Sequence, residues 1–152
     1  MSDIALAVQV KKLHEDVVLP NYATAGAAAM DLVAYLDAPL TIAPGARALI
    51  PTGIAIALPD RNSVCILCAR SGLSIKHGIC LANGIGVIDS DYRGELKVAL
   101  ANISDTPYTV SPGERIAQMM FLPVATATLV LADTLDETAR GAGGFGSTGR
   151  FL

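Results

Sequence analysis

The sequence of 152 residues contains no tryptophan, and its only aromatic residues are four tyrosines and three phenylalanines. The interior must therefore be filled by Val, Ile, Leu and Ala. Charged residues make up 16% of the chain and the net charge is −3, so the basic surface that binds long nucleic acid is missing. Hydrophobic residues reach 52%, which leaves room for buried contacts between subunits.

Signals for secretion or membrane insertion are also missing. Residues 1–4 have no basic stretch followed by an apolar run, so we expect no signal peptide. The longest uncharged stretch, residues 116–132, contains Gln118, Pro123 and threonines, which makes it a poor membrane helix. We therefore expect a cytoplasmic protein of one domain without membrane contact.

The three cysteines, Cys65, Cys68 and Cys80, are expected to be reduced thiols. Together with His77 they form the spacing C-x2-C-x8-H-x2-C, which has the ligand types of a zinc site. However, Cys65 and Cys68 lie in an apolar segment typical of a strand, where positions i and i+3 point to opposite faces. Buried structural cysteines are therefore favoured over a zinc site.

Hydrophobic residues recur mainly with a period of two, which is typical of strands. The alternating rows are Ile4, Leu6, Val8 and Val10; Ile54, Ile56 and Leu58; Val64, Ile66 and Cys68; and Leu96, Val98 and Leu100. Turn signals interrupt these rows often. Short strands with frequent turns predict an all-β barrel or sandwich.

Two segments around Pro-Gly pairs, residues 40–47 and 108–115, resemble each other. Each predicts a strand, a Pro-Gly turn and a strand, and we interpret them as hairpin chemistry used twice. One short helix is predicted from Ser71 to Lys76, ended by Gly78.

A polar segment between apolar strands is the first candidate site. Residues 86–95 carry Asp89, Asp91 and Tyr92, with glycines on either side. The segment predicts either a polar turn or a carboxylate held beside a substrate to activate water. Because Asp89 follows small and apolar residues, we expect it to be partly desolvated and firmly held.

The second candidate is an anion site, in which Arg70 is followed by Ser71 and Gly72 at the start of the predicted helix. A guanidinium, a hydroxyl and free backbone N–H groups together bind anions. The alternative is an ordinary helix N-cap by Ser71.

Gln118 is a single amide in an apolar strand, where a core hydrogen bond is the simplest role.

The C-terminal residues 140–150 contain five glycines, too many for a packed strand or helix. The sequence predicts a barrel domain over residues 1–139 and a flexible arm over residues 140–152. Arg140 and the arm's backbone N–H groups could surround phosphates, and Phe145 could stack on a flat ligand. The alternative is a disordered tail.

Five segments, in this order and spacing, resemble the five motifs of the trimeric dUTPase family: residues 28–32, 69–73, 86–95, 115–119 and 140–149. The resemblance implies an all-β, jelly-roll-like barrel with one short helix. It also implies a homotrimer, in which a swapped or reaching C-terminal arm closes a site built by the other two subunits. The family usually has Gly at the position of Ala29 and Pro at that of Ala69. A positive φ at Ala29 would cost about 1 kcal/mol.

The resemblance implies hydrolysis of dUTP to dUMP and pyrophosphate, with Asp89 as the general base that activates the attacking water. Mg²⁺ would be held through phosphate oxygens and waters, with Asp31 a candidate for its outer shell. The substrate-binding residues would be Arg70, Ser71, Gly72, Asn83, Gly86, Val87, Ile88, Tyr92, Lys97, Gln118, Arg140, Phe145, Gly146, Ser147 and Thr148.

Within this set the resemblance implies a division of roles. Residues 70–72 and Gln118 would bind phosphates, and the arm would close over them. The hairpin from Asn83 to Lys97 would select uracil through its backbone and the Asn83 amide. Tyr92 would pack on the deoxyribose and exclude a 2′-hydroxyl, while Phe145 would stack on uracil.

Two alternative hypotheses share the fold. A dCTP deaminase-related enzyme would differ after the Arg-Ser pair, where this chain has Gly72, and would use Glu as its base. A non-catalytic dUTPase-like regulatory protein would be expected to have lost the base or the arm. Asp89 and Phe145 are both present, which disfavours these alternatives.

Overall fold

The computed structural model describes residues 6–145. In this part the strands are β1 (Gln9–Lys12), β2 (Met30–Val33), β3 (Leu40–Ile42), β4 (Arg47–Ala57), β5 (Ser63–Cys68), β6 (Ile79–Leu81), β7 (Gly86–Ile88), β8 (Glu95–Asn102), β9 (Tyr108–Val110) and β10 (Arg115–Pro123). The one helix of the described part, α1 (Ser71–His77), lies between β5 and β6. It is not long enough to cross a membrane.

The strands form three antiparallel sheets. The first sheet has the order β1-β4-β8-β6, the second has the order β2-β10-β5-β7, and β3 pairs with β9 in a small sheet. Buried side chains from all three sheets join one apolar cluster, which includes Ile50, Leu96, Leu67, Ile116 and Val110. The chain is therefore an all-β, jelly-roll-like barrel with one short helix, as predicted.

The apolar rows predict the strands better than they predict the strand ends. The row that begins at Leu96 is buried in β8. The N-terminal row is largely not a strand, because β1 begins only at Gln9 and the half-buried Leu6 and Val8 precede it. Ile4 lies outside the described residues. All of β1 is exposed, since it forms an edge of the first sheet.

In β5 the buried face is the one opposite the apolar row. Cys65 and Leu67 are buried, whereas Val64, Ile66 and Cys68 are only partly buried. Burial, with a smaller effect of Cys68, raises the pKa of the Cys65 thiol to about 12. Because the two cysteines lie on opposite faces and Cys65 resists ionisation, they are poorly placed to share a zinc ion.

The Pro-Gly turns form as predicted, but their flanking strands do not pair as hairpins. Gly45 and Gly113 both have a φ of 75°, and backbone hydrogen bonds of 3.0 Å and 3.1 Å close the two turns. A positive φ directly after proline is the geometry of a type II turn. β3 pairs with β9 instead, so the two similar segments bind each other, and β4 and β10 join different sheets.

The predicted helix is present and ends one residue later than expected. Gly78, with a φ of 66°, ends α1 in the left-handed conformation. Arg70 occupies the N-cap position and no side chain caps the helix there. The alternative role of Ser71 as the N-cap is therefore wrong, since Ser71 is the first helical residue.

Asn102, at the end of β8, is a fully buried amide that joins three segments. Its Nδ2 donates to the carbonyl oxygens of Ile42 at 2.9 Å and Thr106 at 2.8 Å. Its Oδ1 accepts from the backbone N–H and the hydroxyl of Ser104, at 2.9 Å and 2.7 Å. Every donor and acceptor direction of the amide is therefore used.

We expect Asn102→Asp to lower the free energy of unfolding by at least about 3 kcal/mol. The carboxylate keeps the shape of the amide but cannot donate, so an oxygen would face the carbonyls of Ile42 and Thr106. Urea denaturation followed by circular dichroism measures the change. Asn21→Asp, at an exposed asparagine, should change it by less than about 0.5 kcal/mol. Equal urea midpoints for both variants would contradict the prediction.

Candidate active site

Asp31, in β2, connects its own motif to residues of two other motifs that are far away in the sequence. Its Oδ1 accepts from Nε of Arg70 at 2.9 Å, and its Oδ2 accepts from Nη1 of Arg115 at 3.1 Å. Nε2 of Gln118, its register partner in β10, lies 3.5 Å from Oδ1. We call Asp31, Arg70, Arg115 and Gln118 the arginine cluster.

The arginine cluster has more positive than negative charge. Two guanidinium groups meet one carboxylate, and Nη1 of Arg70 also donates to the carbonyl oxygen of Arg115 at 3.2 Å. Asp31 and Arg70 are largely buried side chains, 15% and 24% exposed, whereas Arg115 is 58% exposed. The excess charge suits a phosphate ligand. Sequence analysis placed Arg115 in the fourth motif but assigned it no role, because an arginine shortly after a Pro-Gly turn carries no signal by itself.

The donor set also determines how a Mg²⁺ ion could be held. Within residues 6–145, no three His, Cys, Asp or Glu side chains converge. Both oxygens of Asp31 already accept hydrogen bonds from arginines. These residues fit a Mg²⁺ ion that is coordinated mainly by phosphate oxygens and waters, with Asp31 in its outer shell.

Asp89 directly follows β7 and opens a loop of residues 89–94 that leads to β8. β7 belongs to the second sheet and β8 to the first, so the hairpin predicted from Asn83 to Lys97 is closed by the antiparallel pairing of β6 with β8 and not by pairing of β7 with β8. The backbone N–H of Tyr92 bonds to the carbonyl of Asp89 at 3.2 Å, and Nη1 of Arg93 donates to the carbonyl of Ser90 at 2.7 Å. Asp89 is exposed in the single chain rather than partly desolvated.

Residues of the predicted uracil site converge on two neighbouring depressions. One of about 320 Å³ is lined by Asp89, Tyr92, Lys97, Leu49, Val87, Ile88 and Glu95. The other, of about 100 Å³, includes Asn83, Gly86, Val87, Ile88 and Lys97 in its lining. The structure therefore brings the predicted substrate-binding residues from Asn83 to Lys97 together with Asp89.

Glu95 connects Lys97 to the neighbouring strand β4. Oε2 of Glu95 lies 3.6 Å from Nζ of Lys97, and Oε1 accepts the backbone N–H of Gly53 at 2.9 Å. Gly53 has a φ of 71° and lies in an irregularity of β4 between Pro51 and Ala55. The lysine is thus held at the edge of both depressions by a residue fixed to the barrel.

Two small residues of the motifs have clear structural settings. Ala29 does not have the strained conformation considered above, because Phe145 is the only non-glycine residue of the described part with a positive φ. Gly86 is buried, and a Cβ there would lie 2.9 Å from Cβ of Leu67. Its missing side chain allows β7 to pack closely on β5.

The arginine cluster and Asp89 lie at opposite ends of β5. Arg70 follows the C-terminal end of the strand, whereas Ile88 pairs with Cys65, so Asp89 comes next to Val64 in register. Six residues of extended chain separate positions 64 and 70, or roughly 20 Å. Within one chain, the structure therefore does not bring Asp89 and Arg70 together.

The described part of the arm is exposed. Nε of Arg140 donates to the carbonyl of Gly143 at 3.0 Å, and Phe145 is fully exposed. The predicted phosphate-binding residues Gly146, Ser147 and Thr148 lie outside the described residues.

Comparison with known proteins gives one consistent result. A family model described as dUTPase matches residues 15–149. A deoxyuridine 5'-triphosphate nucleotidohydrolase from Desulfitobacterium hafniense is 54% identical over 149 residues, which cover 98% of this chain and 99% of that protein. One from Ralstonia nicotianae is 52% identical, with 91% and 93% covered. The dUTPase of Staphylococcus bacteriophage 80alpha, solved with dUPNHPP, is 26% identical with a TM-score of 0.84, with 94% of this chain and 98% of that chain covered.

Proposed function

Because the chain belongs to the dUTPase family and hydrolyses dUTP to dUMP and pyrophosphate, we propose that Asp89 is the general base of the reaction. The observation that carries this proposal is the meeting of Asp89, Tyr92 and Lys97 around one depression. Asp89 is exposed, so a water molecule can reach its carboxylate.

The reaction requires that the carboxylate of Asp89 is held beside the attacking water. The carboxylate takes a proton from water while the water oxygen attacks the α-phosphorus. The bond from the α-phosphorus to the bridging oxygen breaks, and pyrophosphate leaves with that electron pair. Arg70, Ser71, Gly72 and Gln118 bind the phosphates and offset their charge. Mg²⁺ would be held through the substrate phosphates and water, with Asp31 in its outer shell, and when bound it would offset the charge of the leaving pyrophosphate.

Selection of the nucleotide falls to the residues between Asn83 and Lys97. The Asn83 amide and the backbone of residues 86–88 pair with uracil at the smaller depression. Tyr92 packs on the deoxyribose, where its ring leaves no space for a 2′-hydroxyl. The exposed position of Tyr92, at the rim of the depression that contains Asp89, supports this assignment.

The separation of Asp89 from the arginine cluster supports an oligomer with sites between subunits, and we propose that this oligomer is the homotrimer implied by the family resemblance. A general base must lie within hydrogen-bonding reach of the attacking water, yet Arg70 is roughly 20 Å from Asp89 along β5. The Arg70 that binds the phosphates therefore belongs to a different subunit from Asp89. One chain alone therefore cannot form a complete active site.

Apolar surface outside the core also supports assembly. On the outer face of the second sheet, Val87 and Leu122 are 56% and 44% exposed, and Ile66 lies beside Val87 in register. After β10 the chain has no regular structure up to residue 145, and Leu129 and Leu131 are 95% and 97% exposed. Such surface is costly in water unless another subunit covers it.

The arm completes the proposed site. Arg140 together with Gly146, Ser147 and Thr148 closes over the β- and γ-phosphates, while Phe145 stacks on uracil. An aromatic ring that is fully exposed and outside the core supports this role for Phe145. We also propose that the trimer works in the cytoplasm.

Pyrophosphate release from dUTP, dTTP, dCTP and UTP, each with Mg²⁺, tests the proposed site. We expect rapid release from dUTP and at least about 100-fold lower kcat/KM for the other three, because unpaired polar groups and steric overlap penalise them. EDTA should suppress the reaction. If no pyrophosphate is released from any of the four nucleotides, the protein is a regulatory protein. Ammonia release from dCTP would indicate a deaminase.

A further inference from the structure

Gly94, at the end of the loop of residues 89–94, lies directly against the ring of Tyr92. A Cβ at position 94 would lie 2.6 Å from Cζ and 3.0 Å from Cε2 of Tyr92, and would overlap its hydroxyl oxygen. That hydroxyl donates a hydrogen bond to the carbonyl oxygen of Glu95 at 3.0 Å. The tyrosine is thus folded back over Gly94 and held at its far end by the first residue of β8.

The backbone at position 94 does not itself require glycine. The φ of Gly94 lies outside the left-handed region, unlike that of Gly84 earlier in the chain. The three nearest atoms that a Cβ would meet all belong to Tyr92. Tyr92 is 44% exposed, so its ring has solvent to move into. An alanine at position 94 should therefore displace the tyrosine without disturbing the barrel.

We infer that Gly94 is a positioning residue for sugar selectivity. Because it has no Cβ, the Tyr92 ring can stay folded onto the loop with its hydroxyl bound to Glu95. The inference rests on the proposed packing of Tyr92 against the deoxyribose. A ring displaced by a Cβ no longer fills the space that a 2′-hydroxyl needs, so UTP becomes a better substrate relative to dUTP.

Kinetics of Gly94→Ala test the selectivity directly. We expect the ratio of kcat/KM for dUTP to that for UTP to fall at least about tenfold, because a steric exclusion has been relaxed. Gly26→Ala is the matched control, since a Cβ at Gly26 meets nothing within 4 Å and the residue is exposed. It should leave the ratio unchanged.

Acetylation of tyrosine hydroxyls by N-acetylimidazole tests the positioning without any nucleotide. Tyr22 is 51% exposed, close to the 44% of Tyr92, so it is an internal reference in peptide mass analysis. In Gly94→Ala the Tyr92 hydroxyl loses its bond to Glu95. We expect its acetylation rate relative to Tyr22 to rise severalfold, while Gly26→Ala gives the wild-type value.

A double substitution separates the inference from the role of Tyr92 itself. In a Tyr92→Ala background the Cβ at position 94 meets no ring, so adding Gly94→Ala should leave the dUTP-to-UTP ratio as it is in Tyr92→Ala alone. A further change there, or an unchanged acetylation rate in Gly94→Ala, would overturn the inference. If Tyr92→Ala retains the wild-type ratio, the role of Tyr92 fails; if only Gly94→Ala retains it, the role of Gly94 fails alone.

Discussion

Asp89→Asn should lower kcat for dUTP by about 10²–10⁴-fold and leave nucleotide affinity nearly unchanged. The asparagine amide has the size of the carboxylate but cannot take a proton from water. Binding should persist because Asp89 is exposed and the phosphates are proposed to be bound by Arg70, Ser71, Gly72 and Gln118 rather than by Asp89. Pyrophosphate release measures kcat, and calorimetry with dUPNHPP measures Kd.

Asp91→Asn is the matched control for this experiment. Asp91 is also exposed and lies two residues further along the same loop, so its substitution removes the same charge from nearly the same place. We expect its kcat to stay within a few-fold of the wild-type value. Wild-type turnover by Asp89→Asn would eliminate Asp89 as the base, and loss of dUPNHPP binding would indicate a binding role instead.

Truncation after Ala139 should nearly abolish dUTP hydrolysis yet keep the fold and the oligomer. The side chains of Arg140 and Phe145 are exposed, so their removal takes no apolar surface out of the core. In the proposed site the arm supplies phosphate contacts and excludes water, both of which lower the barrier. Pyrophosphate release and light scattering coupled to size-exclusion chromatography measure the two properties.

Phe145→Ala refines the truncation experiment. It removes only the aromatic ring and retains Arg140, so its kcat/KM should lie between those of the truncated and intact chains. Dissociation of the truncated protein into monomers would show that the arm is structural. Full activity of the truncated protein would show that the site is complete without the arm.

Local chemistry accounts for the elements that sequence analysis predicted well. The turn at Pro44-Gly45 is determined by a proline that restricts φ and a glycine that adopts a positive φ. Gly78 ends α1 because glycine readily adopts the left-handed conformation that this helix end requires. The row Leu96, Val98 and Leu100 identifies β8 because alternate side chains of a strand face the same side.

Pairing between distant strands was not accessible to such reasoning. Leu40 pairs with Val110 in the small sheet, so two segments that looked like separate hairpins bind each other. In the same way, β7 and β8 belong to different sheets although one short loop joins them. A turn residue determines where the chain reverses, but it does not determine which strand the chain then meets.

By itself the sequence determined the family, the all-β class and the motif residues, because these depend on residue types and their spacing. Only the tertiary structure decided that Cys65 rather than Ile66 is buried in β5, since both faces of that strand are apolar. It also grouped Asp31 with Arg70 and Arg115 and separated them from Asp89. Strand register creates and separates such neighbours, and register depends on packing across the whole barrel rather than on local sequence.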